Sequence, residues 1–268
     1  METNIWSKKA LAEESWRRWV VGELGLFFDK KGAEWIIGSY RYPRAQERLR
    51  IHQKCSSFSE EDIYEEIEWH RYMIGQEAEI EIVPALPDRP LVVRPNVRRR
   101  ILPGREAQVH FYVPVWIQLF SHSVNRRVML EEHPSLRLSS TWFGDMQTGE
   151  LCYTLETVLS QEFERSSPPA PYYAECVLNI NNISSSLLDF YRIAVHVEYL
   201  NLYLDGDGLH TNEVNVNFSG IDQISQVKYS TRGPRWLKNP VKIASAREVP
   251  SKNILKRSFS YIKHLTEM

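Results

Sequence analysis

The stretch Leu136 to Val158, LRLSSTWFGDMQTGELCYTLETV, most constrains what this chain can fold into. Leu136, Leu138 and Ser140 alternate with Arg137, Ser139 and Thr141, the period of a half-buried strand. Trp142 and Phe143 close that run, and Gly144, Asp145, Thr148 and Gly149 follow as turn residues. Leu151, Tyr153 and Leu155 then alternate with Cys152, Thr154 and Glu156. The pattern predicts two strands joined by a tight turn. A lone hairpin is marginal in water, so its apolar face must pack on a larger β structure.

The rest of the chain supplies that structure. Of 268 residues, 43% are apolar, enough for a sizeable core, and the eight Trp and thirteen Tyr favour strands over a helical bundle. Lys and Arg total 33 against 34 Asp and Glu, a net charge of −1, which argues against nucleic-acid binding by the whole surface but permits a local basic patch. Three well-separated cysteines, Cys55, Cys152 and Cys176, form no CxxC pair and read as reduced thiols. The N-terminus lacks the basic-then-apolar pattern of a leader, and no segment approaches the roughly 20 apolar residues of a spanning helix. The expectation is a soluble, cytoplasmic protein without a transmembrane segment.

Along the chain, residues 3–21 suggest a helix or arm with Trp16, Trp19 and Val20 on one face. The runs Gly25–Phe28 and Trp35–Ile37 flank a predicted turn, Asp29 to Gly32. Arg41 to Ser59 is polar and without period, and an acidic segment, Ser59 to Glu68, leads into a strand beyond Ile67. Glu79 and Glu81 alternate with Ala78, Ile80 and Ile82. Five prolines between Pro84 and Pro103 demand short or edge strands, because Pro lacks the N–H donor. Val109, Phe111 and Val113 alternate with His110 and Tyr112, and Val115 to Phe120 reads as a strand covered on both faces.

Ser166 to Pro171 is a stiff, proline-dense linker. Beyond it, Cys176–Ile180, Tyr191–Leu204, Val214–Phe218 and Ser225–Ser230 read as strands. The apolar register reverses near Tyr199, which requires a bulge or bend there. After Pro250, Leu255, Phe259, Ile262 and Leu265 have helical spacing. From Gln226 to Met268 there are ten basic residues and two acidic ones.

Phe143-Gly144-Asp145, Gly149 and Cys152 make an aromatic-Gly-Asp-x-x-x-Gly-x-x-Cys pattern. With Thr141-Trp142, Tyr153 and Val113-Pro114-Val115, the chain resembles the uncharacterised family called domain of unknown function 432 over Gly22 to Lys228. Glu150-Leu151 departs from it, standing where a more apolar pair is common. The resemblance implies a mostly β domain with no assigned activity, and it transfers no catalytic residue.

The chemistry-bearing residues form few recognisable constellations. Cys152 is a candidate nucleophile, but no neighbour in sequence supplies a base; His196 or His210 would have to approach in space. Asp205-Gly206-Asp207-Gly208 with Glu213 puts Gly at the fourth position and Glu at the ninth, which suits a hairpin turn better than a calcium loop. His110, His122 and His133 lack metal-ligand spacing, and no dinucleotide, phosphate-loop or nucleophile-elbow motif occurs. Six Arg and no acid lie between Arg89 and Arg105; guanidinium forks suit phosphate or carboxylate, although such charge also protects strand edges.

The sequence therefore predicts a mainly β protein, a two-layer antiparallel β-sandwich with short helical segments at the termini. Residues 1–23 form an arm or helix, 24–235 the sandwich with two lobes dividing near 166–171, and 236–268 a basic segment with a helix. The expected function is a non-catalytic binding or assembly module that needs no cofactor or metal. Arg94, Arg98, Arg99, Arg100, Trp142 and Asp145 are its candidate binding residues for an anionic or protein partner. Self-association through an exposed strand or the terminal helix is a further expectation. The alternative is a hydrolase or transferase with a site near the Trp142–Cys152 hairpin.

Overall fold

In the computed structural model of the chain, the described residues are 6, 8–9, 16–55, 66–76, 78–123, 126–144, 146–147, 149–157, 170–206, 208–220 and 226–249. They are mainly β, as expected, and they fall into two compact units. Each unit is assembled from separated pieces of chain. Unit 1 takes residues 1–85, 114–137 and 170–172; unit 2 takes 86–113, 138–169 and 173–268. The Ser166–Pro169 part of the predicted linker and the predicted C-terminal helix lie outside the described residues.

Unit 1 contains two sheets. One runs β1 (Lys8–Lys9), β5 (Glu79–Ala85), β9 (Trp116–Ser123), β10 (Arg126–Pro134), and every ladder in it is antiparallel. The other is the meander β2 (Trp16–Lys31), β3 (Glu34–Cys55), β4 (Glu68–Met73). The predicted helix is thus corrected from Trp16 onward: those residues pair with β3 as far as Cys55. Trp16, Trp19 and Val20 stand at helical spacing, but aromatic and β-branched residues also suit a pleated surface, and a long partner strand decides the outcome. Pairing also extends the aperiodic stretch after Arg41 into β3.

Leu24, Leu26, Phe27 and Phe28 are all buried, so both faces of β2 are covered, and Trp35 and Ile37 are buried beside them in β3. The turn falls at Gly32–Ala33, two residues later than its apparent place, leaving Asp29 and Lys30 inside the strand and buried. Gly22 has φ +62°, and a Cβ there would meet the Ser135 carbonyl oxygen at 2.5 Å. No other residue fits that kink, which brings Glu23 N–H within 2.8 Å of the same oxygen.

Unit 2 contains three sheets. The first runs β11 (Ser139–Phe143), β12 (Glu150–Thr157), β6 (Leu91–Pro95), β15 (Ile193–Val195). The second pairs β7 (Arg99–Ile101) with β14 (Leu188–Phe190). The third and largest is centred on β13 (Tyr173–Asn182), which pairs with β8 (Glu106–Pro114), β17 (Gly208–Thr211) and β18 (Val214–Phe218). β16 (Leu202–Asp205) joins β17, β20 (Val241–Ala244) joins β16, and β19 (Gln226–Tyr229) joins β18.

To the expected antiparallel pairings the structure adds three parallel ladders: β12 with β6, and β13 with both β17 and β18. Leu91, Val92 and Val93 are all buried, which is how a strand covered on both faces reads. The bend required near Tyr199 is a 3-10 turn, Val197–Tyr199, the one helical element among the described residues. None of their helices is long and apolar enough to cross a membrane.

The Trp142 hairpin forms in the expected register, with Trp142 opposite Leu151 and Ser140 opposite Tyr153. Its inward face differs from the alternation. Leu151 is 44% exposed while Cys152 is fully buried, and Leu155 on the same side as Leu151 is buried. Burial therefore changes sides along β12, as twist carries the strand from the hairpin tip into pairing with β6. β9 also departs from expectation: Ile117 and Leu119 are buried but Trp116 and Gln118 are not, so near its start one face is covered rather than two.

Candidate functional site

The arginine-rich stretch folds around β7 and the turn that follows it. Register places Arg99, Arg100 and Ile101 opposite Phe190, Asp189 and Leu188. Arg98 and Arg100 share one carboxylate: their Nε atoms lie 3.0 and 3.1 Å from the two oxygens of Asp189. Two guanidinium groups on one carboxylate leave an excess positive charge. Arg99, Arg100 and Arg105 line a pocket of about 210 Å³ with Ile101, Leu102, Ala107, Val109, Phe190 and Glu106. Val109, Ile101 and Phe190 are buried and give it an apolar floor. Apolar walls lower the local dielectric, so a charge held there is felt more strongly than on an open surface. Arg98 and Arg192 also stack against Tyr191, at 5.8 and 5.3 Å from the ring centre, and Arg192 lies 5.0 Å from the Phe143 ring centre.

Asn182, fully buried at the end of β13, holds this turn in place. Its Nδ2 donates to the carbonyls of Ile101 (2.9 Å) and Ser186 (2.8 Å), and its Oδ1 accepts from the N–H and hydroxyl of Ser184. Its backbone closes a second pair with the turn: Gly104 N–H donates to Asn182 O, and Asn182 N–H to Arg105 O. Gly104 has φ +67° and supplies the left-handed residue that the turn needs.

Each unit also carries a carboxylate clasped by two imidazoles. In unit 1, Glu131 takes His70 Nδ1 at 2.9 Å, His133 Nε2 at 2.7 Å and the Tyr72 hydroxyl at 2.9 Å. Burial opposes its charge, but these three hydrogen bonds win and hold the carboxyl below its ordinary value. In unit 2, the buried Glu175 of β13 takes His110 Nδ1 at 2.8 Å and His210 Nδ1 at 2.9 Å. Burial again opposes, yet the two hydrogen bonds and the imidazole charge lower the carboxyl to about 2. Neither arrangement was visible in spacing, because the five strands involved meet only through pairing and packing. Among the described residues no group of three or more His, Cys, Asp or Glu side chains is placed to hold a metal ion.

The Cys152 neighbourhood is not that of a nucleophile. The thiol is fully buried, and its pKa is pushed up to about 12 by burial first and then by the charges of Glu150 and Glu198. Among the described residues its Sγ makes one weak hydrogen bond, to the Glu150 carbonyl at 3.7 Å. Beside it, buried His196 bonds Glu198 Oε1 through Nδ1 at 2.7 Å and lies 3.3 Å from Glu150 Oε1 through Nε2, with Tyr199 stacked on its ring. Burial lowers the His196 pKa, but the hydrogen bond and charges of Glu198, then those of Glu150 and Glu248, raise it overall. Burial raises that of Glu150.

Both groups bind their proton more tightly when folded. The stability they contribute is complete below their unfolded values, about 6.5 for His and 4.3 for Glu, and is lost as pH rises through the folded ones. The urea midpoint is therefore expected to fall between neutral and alkaline pH, and His196→Asn to flatten that fall. A midpoint that rises with pH equally in both proteins contradicts the assignment.

The candidate binding residues do not converge. Arg99 and Arg100 line the pocket, joined by Arg105, while Arg98 stands beside it on Asp189. Arg94 is exposed in β6, opposite Glu156 of β12. Trp142 is 51% exposed on the β11–β12 hairpin and is not part of the pocket lining. Asp145 lies outside the described residues. Asp205 holds a distant segment: it accepts the N–H groups of Lys238 and Asn239.

Fold and site together define a two-unit, mainly β protein with an arginine-lined pocket in its second unit. The chain belongs to the family described as protein of unknown function DUF432, which matches residues 5–263, nearly its whole length. No curated protein and no solved structure matches it.

Proposed function

We propose that this protein is a non-catalytic binding module and that the β7–β8 pocket receives an anionic group of its partner. The observation that carries this reading is the convergence of Arg99, Arg100 and Arg105 on one cavity with an apolar floor. Guanidinium groups keep their charge at every physiological pH and offer paired N–H donors to carboxylate or phosphate. Asp189 pre-positions Arg98 and Arg100, so little side-chain freedom remains to be lost on binding. Arg94 and Trp142 lie outside the cavity lining and would touch only a partner larger than the pocket.

Calorimetric titration of the full chain with pyrophosphate tests this reading. Arg100→Ala combined with Arg105→Ala is expected to weaken binding by about 10-fold or more, as loss of charge-assisted hydrogen bonds requires. Arg94→Ala is expected to leave it unchanged. Equal affinity in the double variant and the parent would remove the pocket as the anion site.

A further inference from the structure

The outward face of the large sheet in unit 2 carries a second surface, none of whose residues lines the arginine pocket. Strand register arranges it in rows. His110, Glu175, His210, Tyr203 and Lys242 make one row across β8, β13, β17, β16 and β20. Past the buried Val177, Asn179, Asn215 and Lys228 make a second, with Gln108 bonded to Asn179 at 2.8 Å and the Asn179 amide donating to Glu213 and Asn215 at 3.0 Å. Asn181, Asn217 and Gln226 make the third, and among the described residues their side-chain amides have no hydrogen-bond partner.

A strap, Ser230 to Pro240, crosses the first row. Its start is pinned by Ser230 N–H to Glu213 O at 2.9 Å and by the Asn212 amide to Ser230 O at 2.6 Å. Its end is pinned by the Asp205 carboxylate on the N–H groups of Lys238 and Asn239. Gly233 sits against Tyr203, where a Cβ would lie 3.2 Å from the ring, and the Trp236 ring centre is 6.1 Å from that of His110. Trp236 remains 37% exposed.

Charge is the second feature. Residues 226–247 contain no acid, and Lys228, Arg232, Arg235, Lys238 and Lys242 are all exposed. None of the five has an ion-pair partner among the described residues, in contrast to Arg98 and Arg100. Five cations without an ion-pair partner among the described residues are thus gathered in one short stretch of chain.

From these observations we infer that the strap and the amide-bearing sheet face bind single-stranded nucleic acid. Cations along the strap suit a phosphodiester backbone. An exposed indole offers a stacking platform for a base, and unpaired side-chain amides can hydrogen-bond base edges that a duplex would hide. A neutral glycan would leave the five cations without a role. A sulfated glycan would engage them but has no flat ring for Trp236.

The test is fluorescence anisotropy of the full chain with end-labelled thymidine and uridine oligonucleotides of about 12 residues. Binding at about 50 mM salt is expected to weaken by about 10-fold or more at 200 mM. Arg232→Ala with Arg235→Ala and Lys238→Ala should lose about 10-fold in affinity and reduce the salt slope. Trp236→Ala should lose about 10-fold through stacking, and Trp236→Phe, which retains a ring, should restore most of it. Arg100→Ala with Arg105→Ala should bind oligonucleotide as the parent does; loss in that variant would place the strand at the pocket and overturn the inference. Absence of salt-sensitive binding would also overturn it. So would heparin binding of equal strength together with indifference to both Trp236 variants.

Discussion

Glu175→Ala is expected to destabilise the protein by about 4 kcal/mol, because removing one member of a buried charged cluster strands the others. His110 and His210 approach Glu175 from strands on opposite sides of β13, and the carboxylate is the acceptor common to both. Without it, two half-buried imidazoles lose their Nδ1 partner inside the largest sheet. Urea unfolding at neutral pH measures the loss. Adding His110→Phe and His210→Leu should recover part of it, since nothing polar is then left unpaired.

The acid limb gives an independent check with a definite sign. The folded carboxyl is lowered to about 2, so its contribution is complete above the unfolded value of about 4.3 and fades as pH falls toward the folded one. The gap between parent and variant should therefore narrow in acid. A gap that stays constant down to pH values near 2 would contradict the hydrogen-bonded carboxylate.

Asn182→Ala is expected to cost about 2 kcal/mol, because the Ile101 carbonyl loses its side-chain donor at a buried position. The Ser184 N–H loses its acceptor as well, while Ser186 O keeps the Ser184 hydroxyl as a donor at 3.1 Å. The same substitution should weaken pyrophosphate binding, because Asn182 ties the turn that carries Arg105 to the strand that carries Arg99 and Arg100. Thermal unfolding and calorimetry on one preparation test both effects. A variant of parental stability would show that the amide is replaceable by water.

Much of the fold could be read from alternation. β5, β8 and β18 each bury the residues that their period of two selects: Ile80 and Ile82, Val109 and Phe111, Val214 and Val216. Prolines correctly implied the short strands β6 and β7. The long β2–β3 pairing was hidden, because the stretch after Arg41 is polar and its strand character comes from a partner rather than from its own pattern. β20 was hidden for the same reason. The parallel ladders join strands distant in sequence, and nothing local specifies such neighbours.

Of the candidate sites, the arginine run was legible because clustered like charge survives any fold. Its partition was not: register alone sends Arg100 to Asp189 and leaves Arg94 opposite Glu156. Glu175, Asn182 and Trp236 carried no signal of their own. Their importance comes from what surrounds them once segments far apart in sequence have met.

By itself, then, the amino-acid order determined that the chain would be pleated and rich in turns, because a side-chain period of two is a local property of the backbone. It also determined where basic charge would gather. Only the tertiary structure decided which strands became neighbours, which carboxylates met imidazoles and which cations stayed unpaired. Those outcomes depend on burial and cross-strand register, and both exist only once distant segments share a sheet.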